Sequence, residues 1–274
     1  MSNKILVLGG NGKTGRRVVE RLTKLELPVT IGSRNGEPAF DWENSANWSA
    51  VLKDIDKVYI TFQPDLAVPT AAAAIAKFVI TAKDCGVKQL VLLSGRGENE
   101  AQVCENIVIN SGLDWTIIRA SWFMQNFSEN FLIDGILSNE MVLPNIKSLE
   151  PFVDADDIAD VVVAALTNSK HSRKIYELTG PELLSFELAT AEIAKASNRQ
   201  ISYNEINMNE YVATLKSFQL PDDFIWLLHY LFTEVLDGRN ESLTNDVENI
   251  LGRKATSFEE YISKTIKTEI WKVQ

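Results

Sequence analysis

The chain has 274 residues, 45% of them hydrophobic, and 37 acidic against 27 basic side chains give it a formal charge of −10. That length supports one large α/β domain with a smaller lobe grown on it, while the acidic balance excludes direct, non-specific nucleic-acid binding, which needs a basic surface to displace counterions. Apolar runs such as Ala71 to Ala76 and Phe224 to Leu228 fall far short of the ~20 residues of a membrane span.

Ile5-Leu6-Val7-Leu8 reads as a strand buried on both faces, and Val18, Val19 and Leu22 give the following helix its inward stripe. Between them lies Gly9-Gly10-Asn11-Gly12-Lys13-Thr14-Gly15. Glycines at this spacing let the backbone approach a pyrophosphate and point the amides of a helix N-terminus at it, so a dinucleotide is expected here. The candidate contacts are Gly9, Asn11, Gly12, Lys13, Thr14 and Gly15. A triphosphate P-loop is rejected, because Val7 stands where that motif needs a glycine. No basic segment followed by an apolar stretch precedes Ile5, so the protein is expected in the cytoplasm.

Val29 to Gly32 reads as the second strand, ending at Ser33-Arg34-Asn35. The tip of this strand meets the adenosine ribose in dinucleotide folds, where a basic residue pairs with a 2′-phosphate. Arg34, helped by Ser33, Asn35 and Lys13, therefore favours NADP(H) over NAD(H). Phe40-Asp41-Trp42 resembles a short strand, with Asp41 able to meet the adenine amino group or to cap a helix. Residues 47–52 read as a helix and 56–62 as a strand whose end, Thr61, Phe62 and Gln63 before Pro64, should line the cofactor.

A long helix over 68–85, a strand over 89–95, a helix over 98–111 stopped by Gly112, and a strand over 114–119 continue the alternation. The pattern implies a Rossmann-type, doubly wound parallel sheet. Ser94, Ala120, Trp122 and Phe123, at or beyond strand ends, complete the expected cofactor contacts. Trp122, Phe123, Phe127 and Phe152 could wall a flat apolar space for an aromatic or cationic acceptor, or could simply pack a lobe. A helix near 129–137, a helix over 158–166 capped by Asp154 or Asp156, and a strand over 174–179 follow. A helix over 186–196, a strand over 200–206 and helices over 210–218, 222–236, 245–251 and 258–266 end the chain. The expected division is a single dinucleotide-binding domain whose core spans about 1–155 plus 175–180, with a mixed, mostly helical substrate lobe of about 121–150 and 181–274 covering the mouth of the cofactor cleft. Cys85 and Cys104 read as reduced thiols and His171 and His229 as isolated, so no metal site is expected. The oligomeric state is open.

The glycine segment through Arg17, Phe40-Asp41-Trp42, the Ser94-Gly95 strand end, Trp115 to Arg119 with Trp122 to Phe127, Phe152 to Ala159, Tyr176 to Leu184 and Val235 to Asn240 resemble the NmrA-like group of atypical short-chain dehydrogenases. Within it the chain is most similar to the branch holding the ergot-alkaloid reductases that form festuclavine and agroclavine. The resemblance runs over essentially the whole chain and implies a Rossmann fold that binds NADP(H). The wider group includes quinone reductases, a triphenylmethane-dye reductase and non-catalytic redox sensors.

Ordinary short-chain dehydrogenases carry a tyrosine and, four residues later, a lysine on the helix after the Ser94-type strand end. If Glu105 marks the glutamate that often follows, the tyrosine slot falls on Gly97 and the lysine slot on Ala101, and no tyrosine exists between Tyr59 and Tyr176. Reducing a simple ketone builds an alkoxide that needs a general acid or an oxyanion hole. A cationic conjugated acceptor needs neither, and a quinone delocalises its product anion. The sequence therefore points to an NADPH-dependent oxidoreductase acting on an iminium, a quinone or a similar acceptor, with Ser94 limited to hydrogen bonding. The alternative is an NADP(H) redox sensor that regulates a protein partner without chemistry of its own.

Overall fold

In the computed structural model, which describes residues 4–272, the apolar runs form a six-stranded parallel sheet. Its strands are β1 (Ile5–Leu8), β2 (Val29–Gly32), β3 (Lys57–Ile60), β4 (Gln89–Gly95), β5 (Asp114–Ala120) and β7 (Lys174–Leu178). They lie in the order β2-β1-β3-β4-β5-β7, and each neighbouring pair is parallel. The chain leaves β1 for β2 on one side and returns to β3 on the other. The strand order therefore reverses between β1 and β3, which opens a crevice at their carboxyl ends.

The described residues fall into two units. The first comprises 4–120, 155–178 and 246–253, the second 121–154, 179–245 and 254–272. The fold is a Rossmann-like α/β sheet with a smaller helical lobe that carries a small sheet of its own. In the first unit the sheet is accompanied by α1 (Lys13–Lys24), α2 (Trp48–Val51), α3 (Ala71–Asp84), α4 (Asn99–Ile109), α7 (Ala155–Thr167) and α11 (Asp246–Leu251). Leu6, Leu8, Val58, Ile60, Leu90, Leu92 and Ile117 from the strands pack with Ile75, Phe78, Cys104 and Val108 from α3 and α4 in one core. Crossover helices cover a parallel sheet on its faces, and so the central strands β1, β3 and β4 are mostly buried along their length rather than alternating, while β2 and β7 at the edges stay partly exposed.

Arginines on α1 meet acids on α7. Arg17 Nε lies 3.4 Å from Asp156, Arg21 Nη2 lies 2.7 Å from the same carboxylate, and Arg21 Nε also binds Asp160. Arg253 reaches both the fully buried Asp157 (2.7 Å) and Asp160 (2.5 Å). Residues 246–253 thus belong to the first unit, although sequence order assigns them to the lobe.

The second unit holds α5 (Asn126–Glu129), α6 (Ile133–Leu137), α8 (Phe186–Ala196), α9 (Met208–Ser217), α10 (Asp222–Tyr230), α12 (Phe258–Thr265) and the parallel pair β6 (Glu140–Pro144) with β8 (Ser202–Ile206). The helical reading of 222–236 continues past α10 as a π-helical turn over Leu231–Val235. Phe186 centres its core, with Trp122 at 5.3 Å, Phe152 at 5.1 Å, and Phe127 and Phe232 at 6.2 Å.

Four sequence expectations change. The single helix near 129–137 is two short ones, because Asn130 is extended (φ −152°, ψ −169°). β6 was not expected, since its partner β8 lies some sixty residues away and local pattern does not display such pairing. The helix expected over 158–166 starts at Ala155, so Asp156 sits inside its first turn and bonds arginines rather than capping it. Phe40-Asp41-Trp42 is not a strand. Its alternation places Phe40 and Trp42 in a cluster with Trp48 and Phe78, where the Trp48 indole N–H takes the Asp41 carbonyl (2.8 Å) and the Trp42 indole N–H takes that of Thr61 (3.0 Å). Indole donors replace the ladder.

Phe186→Ala should lower the unfolding free energy by about 3–5 kcal/mol, the usual cost of emptying a fully buried aromatic site. Chemical denaturation checks this, and a loss below about 1 kcal/mol would mean the cluster relaxes around the gap.

Candidate functional site

The turn from β1 into α1 is held by main-chain contacts. Gly9 adopts φ +64°, and the Gly12 N–H donates to the Gly9 carbonyl (2.8 Å). A Cβ on Gly15 would fall 2.1 Å from that same carbonyl oxygen, and one on Gly9 would fall 2.3 Å from Thr61 Oγ1. Thr61, just past β3, donates its hydroxyl to the Leu8 carbonyl (3.0 Å). The sequence motif and the end of β3 therefore meet at the reversal point of the sheet. Gly10 joins them, since a Cβ there would fall 2.7 Å from Ile31.

No side chain caps α1, whose N-cap is Gly12, and no acidic residue lies in its first turn. The positive end of the helix dipole is thus left for an anion. Thr14 is buried, its Oγ1 accepting from Tyr59 OH at 3.0 Å, so it anchors the first turn to β3. Lys13 is half-buried, with its carbonyl bonded to Arg17, and Asn11 is exposed.

Arg34 and Asn35 are the central residues of a turn closed by the Gly36 N–H on the Ser33 carbonyl (3.0 Å). Both are exposed, and Arg34 makes no ion pair among the described residues. Asp41 accepts from the Glu43 N–H (3.1 Å) and so stabilises a local turn. Phe62 packs on Trp42 with centroids 4.8 Å apart, and Gln63 is exposed.

At the carboxyl end of β4 the Ser94 hydroxyl donates to Glu105 (2.6 Å), a buried carboxylate that Arg119 also binds (2.7 Å). Arg119 continues to Glu177 (3.2 Å), which Arg96 grips from its other oxygen (3.1 Å). The Ala120 carbonyl accepts from the Arg96 N–H (3.0 Å). Gly97 occupies a turn with φ +76° and Ala101 is buried in α4, so neither supplies a proton. Burial together with Asp65 and Glu105 pushes the Cys104 thiol up to about 11, which leaves it inert at neutral pH.

One feature has no signal in the sequence. Glu98, just before α4, folds its carboxyl against Gly95, where a Cβ would lie 1.9 Å from Oε1. It hydrogen-bonds Asp65 from the loop after β3. Burial raises both above the usual carboxylate range; Asp65 raises Glu98 further, whereas the hydrogen bonds from the Ala67 N–H and from Glu98 hold Asp65 back. The two residues are 33 positions apart, and the topology alone brings them together.

In the second unit the expected acceptor wall divides. Phe127 and Phe152 are 0% and 2% exposed and pack edge to face on each other, with Phe258 beside both, which is a packing role. Trp122 keeps 9% exposure, its N–H donating to Glu150 (3.1 Å), and Phe123 is half-buried. Among the described residues no group of His, Cys, Asp and Glu is placed to hold a metal, and no helix is long and apolar enough to cross a membrane.

The sequence profile of a family described as NAD(P)H-binding matches residues 9–169, from the glycine turn through α7. The chain belongs to this NAD(P)H-binding, NmrA-like family. Agroclavine dehydrogenase of Claviceps fusiformis is 29% identical, the match covering 94% of this chain and 96% of that one. An NAD(P)H azoreductase of Xenophilus azovorans is 27% identical over 94% and 96% of the two chains. Among solved structures, an NADPH-dependent quinone oxidoreductase from Escherichia coli, complexed with NADPH, superposes with a TM-score of 0.80 at 20% identity, covering 96% of this chain and 99% of that one. The cradle fits the family's cofactor, since a Cβ at Gly9 or Gly15 would fill the turn and the α1 end carries no competing cap.

Two outcomes follow. Gly15→Ala drives a methyl into a backbone carbonyl that cannot step aside, so it should raise the Kd for NADPH at least tenfold and cost about 1–3 kcal/mol in stability, read by calorimetry and denaturation. The raised Asp65 and Glu98 values mean that, above the ordinary 4.5 of a glutamate, the folded chain holds a proton the unfolded chain releases. Their contribution to stability is complete below that range and declines as pH rises toward the raised values, by up to about 1.4 kcal/mol per pH unit. Wild type should lose stability relative to Glu98→Gln as pH rises above about 4.5; parallel curves would contradict the assignment.

Proposed function

We propose that the chain is an NADPH-dependent oxidoreductase reducing an electron-poor conjugated acceptor, such as an iminium ion or a quinone, without the tyrosine and lysine of ordinary short-chain dehydrogenases. The observation that carries the reading is a glycine cradle at the β1–β3 reversal combined with Gly97 and Ala101 in the two proton-donor slots. When bound, the reduced nicotinamide supplies a hydride.

The residues divide the remaining work. Gly9, Gly12 and Gly15 hold the main chain open to the pyrophosphate, with Asn11, Lys13 and Thr14 around it, and the α1 amides offset its charge. Arg34, with Ser33 and Asn35, pairs the 2′-phosphate, which selects NADPH over NADH. Asp41, Thr61, Phe62, Gln63 and Ala120 contribute secondary contacts. Ser94 has its proton engaged by Glu105, so it acts as an acceptor of hydrogen bonds rather than a general acid. Of the four expected aromatics, half-buried Phe123 and, at 9% exposure, Trp122 keep surface to meet a flat ligand, and a cationic one gains attraction to their ring faces. The azoreductase and quinone oxidoreductase among the similar proteins are named for conjugated acceptors, which supports this choice.

Loss of NADPH absorbance is followed with quinones, azo dyes, cyclic iminium ions and triarylmethane dyes. Turnover of at least one class is expected, and binding of NADPH with no turnover across the panel would favour the sensor alternative. Arg34→Ala should weaken NADPH binding by about 10- to 100-fold, the worth of one charge-assisted hydrogen bond, while NADH affinity changes little. An equal loss for both would overturn the role of Arg34.

A further inference from the structure

The carboxyl of Glu98 is 7% exposed, and its Oε2 has no hydrogen-bond partner among the described residues. It lies over Gly95 at the end of β4, bonded to half-buried Asp65, which also accepts the Ala67 N–H at 2.8 Å. An ionised carboxylate accepts hydrogen bonds and donates none, so two carboxyls bonded to one another hold a proton between them. The charged groups acting on Glu98 are all acids: Asp65, Glu100 and Glu105. Arg119 and Arg96, the cations at the ends of β5 and β4, are engaged elsewhere, Arg119 by Glu105 and Glu177, and Arg96 by Glu177. A proton rather than a cation therefore neutralises the pair, in the manner of two carboxylates too close for both to ionise.

The position matters as much as the charge. With the pyrophosphate at the β1–α1 turn and the adenosine side toward β2, the rest of a dinucleotide extends over the carboxyl ends of β3 and β4. Asp65 follows the first of these strands and Glu98 the second. Resting on the oxidoreductase reading, we propose that Asp65 and Glu98 share one proton and deliver it to acceptors that become anions on reduction. In that step the shared carboxyl O–H bond breaks and its electron pair stays on the carboxylate. A new O–H or N–H bond forms on the reduced acceptor, whose two electrons come from the reduced nicotinamide. Water then restores the proton through Asp65, the more exposed of the two. Glu98 is a positioning residue that keeps the proton on the pair. The pair divides acceptors into two classes: quinones and azo compounds need this proton, whereas iminium and triarylmethane cations are neutralised by hydride and do not.

The test uses full-length wild type, Glu98→Gln and Asp65→Asn, with two readouts. The first is the ratio of kcat/KM on a benzoquinone and an azo dye to that on a cyclic iminium ion and a triarylmethane dye. General acids contribute at least about 10²-fold, so the ratio should fall by about 100-fold in both variants. The decline of wild-type quinone reduction at alkaline pH should vanish with it. The second is infrared difference spectroscopy of the unliganded protein at pH 7, where wild type should show the carbonyl stretch of an un-ionised carboxyl and both variants should lack it. Turnover that drops alike for both classes, or no such band in wild type, overturns the proton-donor role while leaving the oxidoreductase reading intact. No turnover by wild type on any acceptor overturns the oxidoreductase reading and the donor role with it, whatever the infrared band shows.

Discussion

The close approach of Gly15 to the Gly9 carbonyl is the constraint on which the first unit depends. With no Cβ at either position, α1 begins directly behind β1, and its dipole end is directed at the reversal point of the sheet. Tyr59 then fastens that helix to β3 through Thr14, and Thr61 fastens the end of β3 back to β1. Three elements meet in one small volume lined by backbone rather than by long side chains. A cradle of this kind loses little side-chain entropy on binding, because nothing flexible has to be ordered.

The carboxyl ends of the strands carry a graded set of charges. Glu105 of α4 and Arg119 of β5 form an ion pair completed by Ser94, Glu177 and Arg96. Burying ions costs more than a single contact returns, so such a network persists where several hydrogen bonds satisfy each group. Toward β3 the cations run out, and Asp65 and Glu98 meet without one. The same sheet edge therefore passes from an ion-paired region that fixes geometry to an acid pair that holds a proton. This gradient follows from the strand order, not from any one segment.

Much of the first unit was legible because its signals are local. Ile5–Leu8 and Leu90–Leu93 are continuous apolar runs, Ile117 and Ile118 centre the strand after them, and the glycine spacing has one good stereochemical explanation. What escaped reading depends on distance along the chain. Phe40 and Trp42 alternate like a strand, yet the Phe40 N–H donates to the Ser33 carbonyl, the Trp42 indole to the Thr61 carbonyl, and the Asp41 carbonyl accepts from the Trp48 indole, partners a sequence window cannot assign. β6 ends in Pro144 and finds β8 across a long loop closure. Phe127 and Phe152 look identical to pocket aromatics until the fold shows them enclosed by Phe186 and Phe258. The Asp65–Glu98 contact joins two unremarkable acids, each of which reads as a solvated loop or cap residue when taken singly.

The Arg253 contact with buried Asp157 bears on how the chain matures. Helix α7 carries Asp157 into the first unit, yet the guanidinium that offsets it arrives nearly a hundred residues later. A nascent polypeptide leaving the ribosome can pair its five leading strands early, but the acidic face of α7 stays short of its last counter-charge until residue 253 has emerged. Closure of the dinucleotide-binding unit is thereby tied to synthesis of the intervening lobe segments, from Thr179 to Asn245.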